Sequence, residues 1–142
     1  MGEELSLFAE EVAQEDDCCK QSECDCAELF ARLARSPFRS KFHLRATDKD
    51  YVGRIGLETL MHHAQDFVAK RLAPAIIRND GKQTPMRGHP VFVAQHATGC
   101  CCRGCLQKWH GIEKGRALTA EEQSHVVAVL MAWIEKELGR QG

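Results

Sequence analysis

Two cysteines and one histidine near residue 105 have the spacing of metal ligands. In the run Cys102-x2-Cys105-x4-His110, two residues separate the thiols and the imidazole follows about one helical turn later. Two thiolates at this spacing can bind one ion from a tight turn, and the imidazole can close on the same ion. The first three ligands of a zinc knuckle have this spacing. The sequence therefore predicts a metal site at this turn.

The fourth ligand of this predicted site has to come from upstream. A zinc knuckle would have it five residues after the histidine, where this chain has Gly115. His96, at the end of a predicted helix, is the best candidate. Cys101 is the runner-up, because adjacent residues rarely reach one ion without strain. The predicted metal ligands are thus His96, Cys102, Cys105 and His110.

The ligand types favour zinc as the metal. Two thiolates and two imidazoles suit tetrahedral zinc. An iron–sulfur cluster is the alternative, and it needs about four thiolates. Cys101, Cys102 and Cys105 would then need a fourth from the remaining cysteines, Cys18, Cys19, Cys24, Cys26 and Cys100. A third possibility is thiol redox chemistry at Cys102-x2-Cys105, with Arg103 lowering a thiol pKa.

A polar loop over residues 76–89 is the second place where the sequence indicates chemistry. Lys82, Arg87 and His89 lie in it, between two apolar helices. Long loops of this kind often bind ligands or carry catalytic residues. These three residues are the catalytic candidates. They predict a zinc-dependent hydrolase if the metal keeps an open coordination position.

Charge is segregated along the chain although the net charge is only −1. The first 28 residues are strongly acidic, with Lys20 as their one cation, and lysines and arginines are in excess from Arg32 onward. A basic surface of this kind predicts an anionic ligand or a nucleic-acid partner. The alternative is an ordinary solvated surface with an acidic tail.

The domain prediction separates an extension from a folded core. Residues 1–26 are acidic, contain cysteines and are predicted to be a flexible N-terminal extension, whereas residues 27–142 are predicted to be one helical domain. The chain has no basic and apolar signal segment and no apolar run of membrane-spanning length, so no membrane partner is expected. These features predict a cytoplasmic protein, in which cysteines stay reduced and are available to metals.

Helical periodicity predicts about five helices and no useful strand. They cover residues 26–34, 49–55 capped by Asp48, 57–72, 91–98 after Pro90, and 119–138. The last begins with the capping box Thr119-x2-Glu122. The predicted fold is therefore all-α, a single small domain with a long polar loop and a late Cys/His turn.

Three further runs resemble a bacterial family known only as a domain of unknown function. They are residues 79–98, the run Cys101-Cys102-Arg103-Gly104-Cys105, and Lys108-Trp109-His110-Gly111-Ile112. The resemblance extends from about Phe30 to Leu138 and implies no activity. In the family, a small or hydroxylic residue precedes the cysteine run, where this chain has Cys100. The resemblance therefore ranks Cys100 last among the candidate ligands and implies an accessory role for the N-terminal cysteines.

Overall fold

Helix α7, Ala120–Leu138, lies at the centre of the fold. Its N-terminus has the predicted capping box, in which Thr119 Oγ1 accepts a hydrogen bond from Glu122 N and a Glu122 carboxylate oxygen accepts one from Thr119 N, both 3.0 Å. Val126 and Ile134 lie on one face of the helix and are fully buried. This face packs against α5 and α4. Each large aliphatic side chain buried there contributes about 1.5–3 kcal/mol.

The computed structural model describes residues 26–139, which contain seven helices and no β-strand. The all-α fold predicted from the sequence is confirmed. The helices are α1 (residues 26–34), α2 (Pro37–Ser40), α3 (Ala46–Ile55), α4 (Leu57–Phe67), α5 (Pro90–Thr98), α6 (Arg103–His110) and α7. A π-helical turn, Val68–Leu72, continues α4. Cys18, Cys19 and Cys24 of the predicted extension lie outside the described residues, and the domain boundary stays a prediction.

Two of these helices, α2 and α6, were not predicted from the sequence. Pro37 begins α2, because proline suits the first turn of a helix, and Ser36 Oγ caps this helix by accepting from Arg39 N (3.2 Å). Helix α6 replaces the irregular Cys/His turn. The start of α3 was also predicted wrongly: α3 begins at Ala46, and Asp48 lies in its first turn, where its carboxylate accepts from Arg45 N (3.1 Å).

Helix α5 is buried over almost its whole length, so its ends decide where the neighbouring segments lie. His89 caps its N-terminus, and Pro90, which was predicted to lie just before the helix, is its first residue. Gly99 ends it in the left-handed conformation, with φ of 73°. A Cβ atom on Gly99 would lie 2.7 Å from the Trp109 ring, so the close approach of α6 to this turn requires glycine. No described helix is long and apolar enough to cross a membrane.

Gly99→Ala is expected to lower the free energy of unfolding by about 2–4 kcal/mol, because alanine disfavours positive φ and its methyl group would overlap Trp109. Chemical denaturation measures the effect. Gly53→Ala is the matched control, since Gly53 lies in α3 with nothing within 4 Å of an added Cβ. It should raise stability by about 0.5–1 kcal/mol. Equal stability of the two variants would contradict the packing of Trp109 on this turn.

Candidate metal centre

Three cysteine sulfurs lie close together at the turn between α5 and α6. The Sγ atoms of Cys101, Cys102 and Cys105 all lie within 4.8 Å of one another. Cys102 is the N-cap of α6, and its sulfur accepts a hydrogen bond from Cys105 N (3.3 Å). The first turn of α6 therefore brings Cys105 close to Cys102. Together these three residues form the sulfur centre, which can hold a metal ion.

Arg39, from the short helix α2, lies against the sulfur centre. Its Nη2 donates to Cys105 Sγ (3.0 Å) and its Nη1 approaches Cys101 Sγ at 3.6 Å. Nη1 also donates to the carbonyl of His96 (2.7 Å), near the end of α5. A guanidinium is always cationic and carries only donors, so it favours thiolates over thiols at this position. The sequence analysis did not single out Arg39.

The environment separates the pKa values of the three thiols. A hydrogen bond from Cys105, followed by the Arg39 guanidinium, lowers the pKa of Cys101 to about 7, although burial opposes the change. The same Cys101–Cys105 hydrogen bond, followed by burial, raises the pKa of Cys105. Burial raises the pKa of Cys102. The Cys105 thiol, which donates to Cys101, and the Arg39 guanidinium therefore both favour the thiolate form of Cys101.

The polar loop supports the sulfur centre from its other side. Asp80 Oδ1 accepts from Arg103 N (2.8 Å), at the start of α6, and from Gln83 Nε2 (3.0 Å). Thr84 Oγ1 donates to the carbonyl of Cys101 (2.8 Å), and both of these threonine and cysteine residues are buried. A carboxylate at a helix N-terminus satisfies amide groups that have no partner within the helix. Much of the loop therefore has a structural role.

Arg103 points away from the sulfurs. It is only 2 % exposed, and its guanidinium donates to the carbonyls of Leu72 (3.1 Å), Pro74 (3.2 Å) and Glu113 (2.7 Å). The expectation that Arg103 lowers a thiol pKa is therefore wrong, because its charge is directed to backbone carbonyls. Arg39 has that role in the structure.

The ring of His96, the predicted upstream ligand, is anchored to the polar loop. Its Nε2 lies 3.1 Å from the carbonyl oxygen of Thr84 and 3.2 Å from that of Pro85. Two acceptors at Nε2 require the proton there, so a neutral ring has its lone pair on Nδ1. The ring is not part of the group of mutually close sulfurs. His96 therefore stays a predicted ligand, and its available atom is Nδ1.

His110 lies on another side of α6. Its Nε2 contacts the Thr98 carbonyl (2.8 Å) and Cys100 Sγ (3.3 Å), and its Nδ1 faces His125 Nε2 (3.3 Å). In a helix, five residues correspond to a rotation of about 140°, so Cys105 and His110 point in different directions. The structure thus brings Cys102, Cys105 and the runner-up Cys101 together, but it does not bring His110 to them.

The three catalytic candidates do not meet at the sulfurs either. Both ring nitrogens of His89 are engaged, since Nδ1 accepts from Val91 N (3.0 Å) and Nε2 lies 3.0 Å from His63 Nδ1. Lys82 is exposed in a turn, where its backbone N donates to the Asn79 carbonyl (2.9 Å). Arg87 is exposed and lines a separate cleft together with His89.

The helical fold and the sulfur centre together define a small all-α protein with a candidate thiolate metal site. The chain belongs to the family described as Domain of unknown function (DUF4186), whose profile matches residues 27–135. The family resemblance seen in the sequence is confirmed. No solved structure matches the chain.

His89 makes the stability of the fold sensitive to acid. Burial, followed by the neighbouring His63, lowers the pKa of His89 from its ordinary 6.5 to about 4, against a weaker opposing effect of Asp48. The unfolded chain therefore binds more protons here, and stability should fall as the pH drops from about 6.5 toward 4. His89→Asn keeps an N-cap acceptor without a group that titrates in this range. Denaturation midpoints across this range should fall less for the variant, and parallel curves would contradict the assignment.

Proposed function

We propose that this protein binds one zinc ion through Cys101, Cys102 and Cys105, and that the ion has a structural role. The observation that carries the proposal is the approach of three sulfurs to within 4.8 Å of one another. Thiolates are soft ligands that zinc accepts in tetrahedral structural sites. The proposal requires a reducing compartment, which agrees with the cytoplasmic location predicted from the sequence.

The charge of the centre supports zinc. Three thiolates around a divalent ion leave a net charge of −1, and the Arg39 guanidinium at 3.0 Å from Cys105 Sγ offsets it. A partly buried site without such a cation would carry an uncompensated charge, which is costly. A monovalent ion would leave a larger negative charge on the same three ligands.

A tetrahedral zinc ion needs a fourth ligand besides the three cysteines. We assign it to Nδ1 of His96 or to a solvent molecule. The Nε2–H group of His96 donates to backbone carbonyls. This arrangement is typical of ligating histidines, in which the ring nitrogen that does not bind the metal donates to an acceptor. Cys100 is not included, because its sulfur is fully buried against Thr98 and His110.

A structural role agrees better with the surroundings than hydrolysis does. The sulfur centre and the Arg39 side chain join the start of α6, the end of α5 and the helix α2. His89, the expected acid–base group of a hydrolase, has both ring nitrogens in hydrogen bonds. An iron–sulfur cluster would need a fourth thiolate beside the three of the sulfur centre.

Cys105→Ser should remove the bound zinc and lower the melting temperature, because two sulfurs and a serine hydroxyl hold zinc poorly. Elemental analysis of protein purified without added metal gives the zinc content. Cys100→Ala is the matched control, since Cys100 is adjacent to the centre in sequence but its sulfur faces His110. The control should keep one zinc per chain even if it is less stable.

Three results would contradict this proposal. Equal zinc content in Cys105→Ser and in the parent protein would remove the sulfur centre as the ligand set. Iron with a visible absorption band would replace zinc by a cluster. Folded, metal-free protein with a disulfide between Cys102 and Cys105 would favour thiol redox chemistry instead.

Arg39→Met should lower zinc affinity about 10–100-fold, because the sulfur centre would lose its counter-charge and its orienting donors. Competition with a coloured chelator measures the affinity. Arg35→Met is the control, since Arg35 is exposed and makes no contact with the sulfurs. An unchanged affinity in Arg39→Met would show that the guanidinium does not compensate the bound metal.

A further inference from the structure

A second site candidate lies away from the sulfurs, at the N-termini of α3 and α5. It is an open cleft of about 860 Å³ between residues 41–51 and the end of the polar loop, residues 86–90. Small-molecule sites usually have volumes of about 300–1,000 Å³, so this cleft has room for one molecule of nucleotide size. The other described cavities have volumes of about 210 and 260 Å³.

Cations dominate the lining of this cleft. Lys41, Arg45 and Arg87 line it, whereas the one carboxylate contributed by the described residues is that of Asp48. That carboxylate already accepts from Arg45 N (3.1 Å), at the start of α3. His43 also lines the cleft but faces Glu137, 3.2 Å away. The cleft is therefore positive although the chain as a whole has a net charge of −1.

Among residues 26–139, no carboxylate forms an ion pair with any of the three cations. Elsewhere in residues 26–139, exposed cations pair with neighbouring carboxylates, as in Arg54–Asp50 (3.6 Å) and Lys70–Asp66 (3.1 Å). Lys41 Nζ instead lies over the Phe38 ring, 4.6 Å from its centroid. Arg87 is exposed, and the structure gives its guanidinium no hydrogen-bond or ion-pair partner within the described range. Such donors can bind an incoming anion without first breaking an ion pair.

Two helices add to this positive potential. Thr47 and Asp48, in the first turn of α3, line the cleft, as do His89 and Pro90 at the start of α5. The N-terminus of a helix carries a partial positive charge and amide donors without an intrahelical partner. Helix ends alone would not define a ligand site, but here both helix N-termini border the cleft that the three cations line.

Apolar groups form the remaining wall of the cleft. Tyr51, Phe42, Met86 and Val93 line it, and Met86 is 47 % exposed. The Tyr51 ring packs edge-on against His89, with 5.4 Å between centroids, which fixes its orientation. An inorganic anion would leave this wall uncovered, whereas an organic ligand with a planar or apolar part would bury it.

We propose that this cleft binds a small organic molecule that carries a phosphate group, of the size of a nucleoside monophosphate. Arg87 and Lys41 bind the phosphate, and Tyr51 and Met86 contact the organic part. A nucleic-acid strand is a poorer fit, because such partners usually bind through many phosphate contacts and this cleft supplies three unpaired cations. The proposal does not depend on the zinc site.

Calorimetric titration of the full chain tests the proposal with five probes. They are inorganic phosphate, ribose phosphate, adenosine monophosphate, adenosine and a single-stranded oligonucleotide. Adenosine monophosphate or ribose phosphate should bind one per chain, more tightly than inorganic phosphate and adenosine. Arg87→Gln should weaken that binding about tenfold, and the double variant with Lys41→Gln about a hundredfold. Arg78→Gln, an exposed arginine of the same loop outside the cleft, should leave it unchanged.

Several outcomes would overturn the proposal. Absence of binding by both organic phosphates at millimolar concentration would do so, as would equal affinity in Arg87→Gln and Arg78→Gln. Equal affinity for phosphate and adenosine monophosphate would remove the organic part of the ligand. Binding of the oligonucleotide without competition from the mononucleotide would favour an extended nucleic-acid surface. Melting temperatures show whether each variant is folded, and Arg87→Gln should melt close to the parent protein because Arg87 is exposed.

Discussion

The contact of one guanidinium with two of the three sulfurs is the constraint on which the sulfur centre depends. Arg39 donates to Cys101 and Cys105 and also binds the carbonyl of His96. The same side chain therefore fixes α2 against the end of α5. Because α2 has only four residues, this polar contact rather than apolar burial determines where α2 lies.

Around this contact, hydrogen bonds from polar side chains stabilise segments that have no regular secondary structure. The segment between α4 and α5 has no strand or helix beyond residue 72, yet it is not simply exposed. Asp80 and Thr84 bind backbone groups at the start of α6, and Arg103 returns three hydrogen bonds to carbonyls on either side. A buried backbone group without a partner is costly, so these side chains stabilise a turn that cannot satisfy itself.

The sequence predicted features that depend on local signals. The capping box at Thr119, Pro90 at the start of α5 and the helical class all follow from residues that are near one another in the chain. Two of the four predicted ligands, Cys102 and Cys105, lie together with Cys101 because all three are near one another in the chain. Arg39 could not be found this way, because it lies 62 and 66 residues from the sulfurs it contacts. Helix α6 directs His110 to the Thr98 carbonyl and Cys100, so its role as a metal ligand stays a prediction from the knuckle spacing.

One short length of backbone faces two different chemical environments. The carbonyls of Thr84 and Pro85 orient the His96 ring, and Arg87, a few residues later, lines the cationic cleft. Binding free energies obey reciprocity, so any effect of an occupant of the cleft on metal affinity must equal the effect of the metal on the occupant. The polar loop is thus the covalent connection between the anchor of the His96 ring and the cationic cleft.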